Sequence, residues 1–301
     1  MIFFEQIISG LVVGSIYSLL GLGFTMIFAC TKRINFCHGE LMALGGFVGL
    51  VFIEIFPSCL FLSFVVGPLT IGLIAVIIER LFLRRLQEDK PLKIVIATIG
   101  LSVVLSVVMQ IIWGAHPKTY PNFISEKPFS FIGVKIIPQN LFIFLISISL
   151  MIILQYFFLY TKTGRALRAL SQDRYAARLM GIKVGQNISL VYFISGILAG
   201  IAGMLITPIY FVSSSIGSFL GLKAFIAAVI GGLGSVPGTI AGGFFLGIVE
   251  SLSSGFISSK YKSGISLLFL VLVLLFSPKG LLSIFHKVNL LKWRKSKNEK
   301  Y

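Results

Sequence analysis

Six stretches of this chain run for about the length at which an α-helix crosses the hydrocarbon core of a bilayer, roughly 20 apolar residues. They are Ile7–Ala29, Leu60–Leu83, Ile94–Trp113, Leu141–Leu159, Ile188–Phe211 and Ile265–Leu282. In lipid every backbone N–H and C=O must find a partner within the protein, so spanning structures are helices or closed barrels. Barrel strands are shorter and alternate in polarity. Continuous apolar runs therefore specify an all-α polytopic membrane protein. Composition agrees: 56% of the 301 residues are hydrophobic and 12% are charged, against about 25% charged in a soluble domain.

The opening "MIFFEQIISGLVVGSIYS" lacks the basic region and small-residue cleavage pattern of a secretory signal, so it reads as the first spanning helix. Cys30, Cys37 and Cys59 have neither disulfide-framework nor metal-ligand spacing and read as small packing residues. A net charge of +16 would suit nucleic acid, but a bias of basic residues toward the cytoplasmic side of a membrane explains it equally well. Most of the 26 basic residues fall in four segments: Lys32–Arg33, Arg80–Lys93, Lys162–Lys183 and Lys279–Lys300. The opposite loops hold Lys118, Lys127 and Lys135, then Lys260 and Lys262, while Lys223 is expected at a helix start. This asymmetry predicts an outside N-terminus, a cytoplasmic C-terminus and an odd number of crossings. No nucleic-acid partner is implied.

An odd count needs three further passes. A shorter span fits Glu40–Phe56, and the glycine-rich Gly221–Leu252 fits a short descending helix at Leu222–Ile230, a turn at Gly231–Gly238 and an ascending helix at Thr239–Phe256. The total is eight or nine membrane helices, the descending one spanning or re-entrant, in a single transmembrane domain over residues 1–301. Gly10/Gly14, Gly196/Gly200 and Gly243/Gly247 are spaced four apart, which puts each pair on one helix face and allows close backbone approach. No helical period appears in the longest loop, Gly114–Gln139.

Several chemistries are not encoded. "GGLGSVPGT" lacks the lysine and spacing of a phosphate-binding loop, and Pro237 stands where a dinucleotide fingerprint needs its last glycine. Cys37, His38 and Glu40 are nearly consecutive and point in different directions on a helix or turn, so no metal site is expected, nor a cofactor. No Ser-His-Asp set is apparent among three histidines. Within "TKRINFCHGELMALGGFVGLVF", Asn35, His38, Gly39 and Glu40 form a polar knot between two apolar runs. It can cap a helix, since Asn and Glu oxygens accept from unpaired amides there, or it can line or gate a pathway. Glu250 is ionisable within an apolar helix, and either faces that pathway or snorkels to the outer surface. The segment Thr161–Gln186 interleaves apolar and basic residues, predicting two short amphipathic helices broken at Ser171–Asp173, suited to anionic lipid or to a partner protein.

The segments "GLVVGSIYSLLGLGFTMIFACTKRINFCHGELMALGGF", "GRALRALSQDRYAARLMGI" and "KAFIAAVIGGLGSVPGTIAGGFFLGIVESL" resemble, in content, order and separation, the LivH-type permease subunits of high-affinity branched-chain amino acid ABC importers. "INFxHGE" and "GGxGSxPG" are specific in combination, and the similarity extends over nearly the whole chain; Cys37 stands where the family usually has a small residue such as alanine. The resemblance implies the ABC importer permease fold and an integral protein of a prokaryotic inner membrane. It also implies two cytoplasmic ATPase subunits, a second homologous permease and a soluble external binding protein, with ATP hydrolysis on the partners and lipid around the helices. By the same resemblance Gly164, Arg165, Arg168, Asp173, Arg178 and Gly181 belong to a coupling segment seated on an ATPase, ahead of a basic cytoplasmic tail at 284–301. Asn35, His38, Gly39, Glu40, Gly231, Gly232, Gly234, Ser235, Pro237, Gly238 and Glu250 are the candidates for pathway or gate. Two alternatives stay open: the same machine carrying urea or short amides, and an ATP-independent secondary transporter.

Overall fold

The computed structural model describes residues 2–56, 60–86, 91–119, 129–131, 134–277 and 280. In chain order the elements are α1 (Ile2–Thr31), α2 (His38–Ile55), α3 (Leu60–Ile78), a π turn (Glu79–Leu83), α4 (Arg84–Leu86), α5 (Pro91–Trp113), β1 (Phe129–Phe131) and β2 (Val134–Ile136). There follow α6 (Pro138–Tyr160), α7 (Lys162–Gln172), α8 (Arg174–Leu179), α9 (Val184–Tyr210), α10 (Ile216–Gly231), α11 (Val236–Phe256), a 3-10 turn (Ser259–Tyr261) and α12 (Lys262–Phe276). Among the described residues eight helical segments are long and apolar enough to cross a membrane, and α10 is a shorter apolar ninth. Each of the six long runs in the sequence carries one of the eight, and the three further passes expected beside them are α2, α10 and α11. Cys59 and the tail 284–301 lie outside the described residues.

At the centre stands α1, hydrophobic all round and buried along most of its length from Gly10 onward, with Ile16, Tyr17, Leu19, Leu20 and Leu22 at 1% exposure or less. The spaced glycines make its main contact. A Cβ on Gly10 would lie 2.8 Å from the Ile248 Cα, and one on Gly14 would lie 2.9 Å from the Gly243 carbonyl oxygen, so α1 and α11 meet backbone to backbone. Gly196 and Gly200 of α9 do the same against Gly72 and Pro68 of α3. Large apolar side chains on α5, α6 and α12, among them Ile96, Ile111, Ile152, Ile153, Val271 and Leu275, point outward. That is the surface a lipid-facing helix requires.

Two features depart from expectation. The loop after α5 contains an antiparallel hairpin pairing Phe129 with Ile136 and Phe131 with Val134; "FSFIGVKII" is aromatic and β-branched around a glycine, a pattern that signals strands rather than helix. The descending helix begins at Ile216, ahead of the expected Leu222, so Lys223 sits inside α10 and not at its start. The added residues, Ile216–Gly221, include two glycines, Gly217 and Gly221, that pack on Gly39 of α2.

Candidate functional site

The polar knot lies within the bundle. After Thr31 the backbone turns at Lys32, in the left-handed region at φ 53°, and α2 opens beside Gly23 of α1 and Ser195 of α9, residues interior to their own helices. Asn35 is 3% exposed; its Oδ1 accepts from the Cys37 N–H at 3.2 Å and its carbonyl from the His38 N–H at 3.2 Å, a turn that leads into the helix. Its side-chain nitrogen has no partner among the described residues. The His38 ring has Nδ1 3.2 Å from Ser195 Oγ, Nε2 directed at the α1 backbone near Leu20 and Gly23, and an edge contact with Phe24 at 4.8 Å. Glu40 points elsewhere, toward Gly217 and Ser218 in the first turn of α10. Cys37 is buried. These side chains diverge, and what they share is the place where the buried start of α2 packs against the first turns of α10, Gly39 against Gly217 and Gly221.

The glycine turn sits further along α10. Gly232 and Gly234 adopt φ of 100° and 96°, open to glycine at little cost. Ser235 caps α11, its Oγ accepting from the Gly238 N–H at 3.2 Å, with Pro237 in the first turn. Gly231 and Gly238 are in backbone contact. Thr239 and Thr25 bond through their hydroxyls at 2.5 Å. A cavity of about 260 Å³ separates this turn from α7, with Thr25, Gln155, Arg168, Ser171, Ser235 and Pro237 in its wall. The turn is thus beside the basic segment, while the knot lies beside the opening of α10.

Glu250 does not reach the surface. It is fully buried and collects four partners from three other helices: Tyr17 Oη donates to Oε2 at 2.8 Å, Lys223 Nζ lies 2.8 Å from Oε1, Lys262 Nζ lies 3.6 Å from Oε2, and Ser266 Oγ donates to Oε1. Lys262 also donates to Tyr210 Oη at 3.1 Å. Burying one carboxylate costs several kcal/mol unless it is paired and hydrogen-bonded, and here α1, α10, α11 and α12 together supply the pairing. Neither lysine was singled out for this role by the sequence, because no spacing relates residues on separate helices.

The basic segment is the expected helix pair. Leu167 and Leu170 of α7 face inward, as does Gly164, which packs on the Phe157 and Phe158 backbone with its N–H on Thr161 Oγ1 at 2.9 Å. Arg165 and Arg168 face outward. Asp173 caps α8 by accepting from Tyr175 and Ala176 N–H at 2.7 and 3.1 Å. Gly181, at φ 80°, ends α8, with the Ile182 N–H returning to the Ala177 carbonyl. Around exposed Arg178 stand Tyr175, Leu179 and Met180, at 72%, 71% and 83% exposure. Arg174, absent from the expected set, reaches back so that Nε donates to the Cys30 carbonyl at 2.9 Å. Partial burial lowers its pKa from the ordinary arginine value.

A bundle whose described residues include eight helices long and apolar enough to cross a membrane, with a buried ion cluster and a projecting basic segment, defines a polytopic membrane protein. The family described as branched-chain amino acid transport system, permease component, matches residues 6–275, and the chain belongs to that family. It is 33% identical to the high-affinity branched-chain amino acid transport system permease protein LivH of Salmonella typhimurium, over 93% of this chain and 95% of that one. BraD of Pseudomonas aeruginosa, a permease protein of the same kind of system, is 32% identical over the same shares. Among solved structures, PsaBC from Streptococcus pneumoniae in complex with Fab aligns over 91% of each chain with a TM-score of 0.52 at 14% identity, a likeness of fold.

Proposed function

We propose that this chain is the transmembrane subunit of an ATP-driven importer of branched-chain amino acids, with hydrolysis on two separate cytoplasmic ATPase subunits. A second homologous permease would complete the pore, and a soluble binding protein would deliver cargo from outside. The observation that carries the ATPase reading is the α7–α8 segment, where Arg165, Arg168 and Arg178 stand beside exposed Tyr175, Leu179 and Met180. Aromatic and aliphatic anchors among arginines are what a protein partner buries at the core of an interface. The Gly181 stop and the Asp173 cap keep the segment rigid enough to transmit a push. In this arrangement the N-terminus is outside, and α7–α8, with the basic tail at 284–301, is cytoplasmic, in keeping with the distribution of basic residues.

ATP can shift the permease between outward and inward openings only by favouring contacts made in one of them. The buried start of α2 and the glycine turn between α10 and α11 are the natural moving parts, because irregular backbone at depth is tolerated where protein or a water-filled route covers it. In this reading Asn35, His38, Gly39 and Glu40 line or gate the route from one side. Gly231, Gly232, Gly234, Ser235, Pro237 and Gly238 form the joint nearest the coupling segment, and Glu250 holds the outer part of α11. Uptake of radiolabelled leucine, isoleucine and valine, with urea in parallel, in cells lacking and regaining this chain tests the reading. Loss and rescue of leucine-type uptake is expected; an effect on urea alone would move the cargo to short amides.

A further inference from the structure

Glu79 and Arg84 are five residues apart, and on an α-helix that spacing would put them about 140° from one another. They meet because the end of α3 is wound as a π turn, in which the Arg84 N–H bonds to the Glu79 carbonyl; such turns are rare and concentrate at functional places. The side chains then pair twice, Arg84 Nε to Glu79 Oε1 and Nη2 to Oε2, both at 3.0 Å. Glu79 is fully buried. Across the interface Ser189 Oγ donates to Glu79 Oε2 at 2.7 Å, and Arg84 Nη2 donates to Ser189 Oγ at 2.7 Å and to the Gly185 carbonyl at 3.0 Å. Gly185 and Ser189 are the first turns of α9, which starts directly after the Gly181 stop of α8.

We propose that Glu79, Arg84 and Ser189 form a clasp that passes movement of α8 into the α3–α9 pair, making them positioning residues for energy coupling; this rests on the reading of α7–α8 as the ATPase contact. The geometry assigns the role in three parts. Only the short link Met180–Lys183 separates α8 from the clasped turns of α9. Further along, α3 and α9 are joined backbone to backbone at Gly72, Gly196 and Gly200, so a displacement entering at the clasp moves both helices together. A planar guanidinium can hold a carboxylate, a hydroxyl and a carbonyl at fixed angles at once, which a lysine ammonium does not reproduce.

The test uses the complete importer in proteoliposomes, reading leucine delivered per ATP hydrolysed for Arg84→Lys, Glu79→Gln and the milder Ser189→Ala, with a cysteine at Tyr175 to crosslink the ATPase subunit. The expected result is normal crosslinking and continued hydrolysis with a fall of at least about threefold in leucine per ATP, the scale of positional coupling effects. A purely structural role would lower transport and hydrolysis together with the amount of assembled complex and leave that ratio unchanged. An unchanged ratio with crosslinking intact overturns the clasp alone. Absence of the Tyr175 crosslink in the otherwise unaltered importer overturns the docking reading and the clasp with it.

Discussion

Glu250 shows what a single residue does in this molecule. Its carboxylate is held by Lys223 from α10, Tyr17 from α1 and Ser266 and Lys262 from α12, so its truncation would leave a lysine buried at 3% exposure without its counter-charge. Removing one member of a buried pair costs about 3–5 kcal/mol, whereas replacing both by apolar groups is often close to neutral. Glu250→Ala should therefore lower the thermal unfolding midpoint of the purified protein strongly, and Glu250→Leu with Lys223→Met should recover most of the loss. Equal losses in the single and double variants would mean that the pair is not the source of the stability. The identity of Glu250 as an intramembrane acid was legible in the sequence, but its partners were not. Tyr17 is 233 positions away, and no helical period connects them. His38 and Asn35 were legible in the same limited way: their types marked a turn at depth, and the Asn35 bond to the Cys37 N–H is local to it, while the His38 contact with Ser195 depends on how the helices pack.

At the scale of elements, the long spans were legible because each needs only a run of apolar residues, and the α7–α8 pair because Leu167 and Leu170 recur at helical spacing with Arg165 and Arg168 on the other face. The hairpin at Phe129–Ile136 was read as loop, since a search for helical periods passes over strands of three residues. The π turn at Glu79–Leu83 leaves no pattern at all in a sequence read at 3.6 residues per turn. For α7–α8, reversing Arg168 and Arg178 to glutamate should abolish co-purification of the ATPase subunits and stimulation of ATP hydrolysis, with the permease itself still inserted. Both side chains are exposed, so the folded core should be unaffected. Survival of stimulated hydrolysis in the double reversal would remove this segment from the coupling route.

For the whole molecule, the proposed orientation rests on charge rather than on packing, and it predicts opposite labelling at the start of α1 and on α8. A cysteine at Phe4 should react with an impermeant maleimide in intact cells, while one at Tyr175 should react only after the membrane is opened. Reversed labelling would invert the topology and place α7–α8 away from any cytoplasmic ATPase.

The seam between α1 and α11 also has a genetic consequence. Gly10, Gly14, Gly243 and Gly247 bring two backbones together with no room for a Cβ. Glycine codons lie one base from alanine, serine, cysteine, valine, aspartate, glutamate, arginine and tryptophan, and every one of these carries that atom. No single-nucleotide missense change at the four positions is therefore small enough to pass unnoticed. The contact on which the bundle is centred leaves its codons free to drift only at their silent third base.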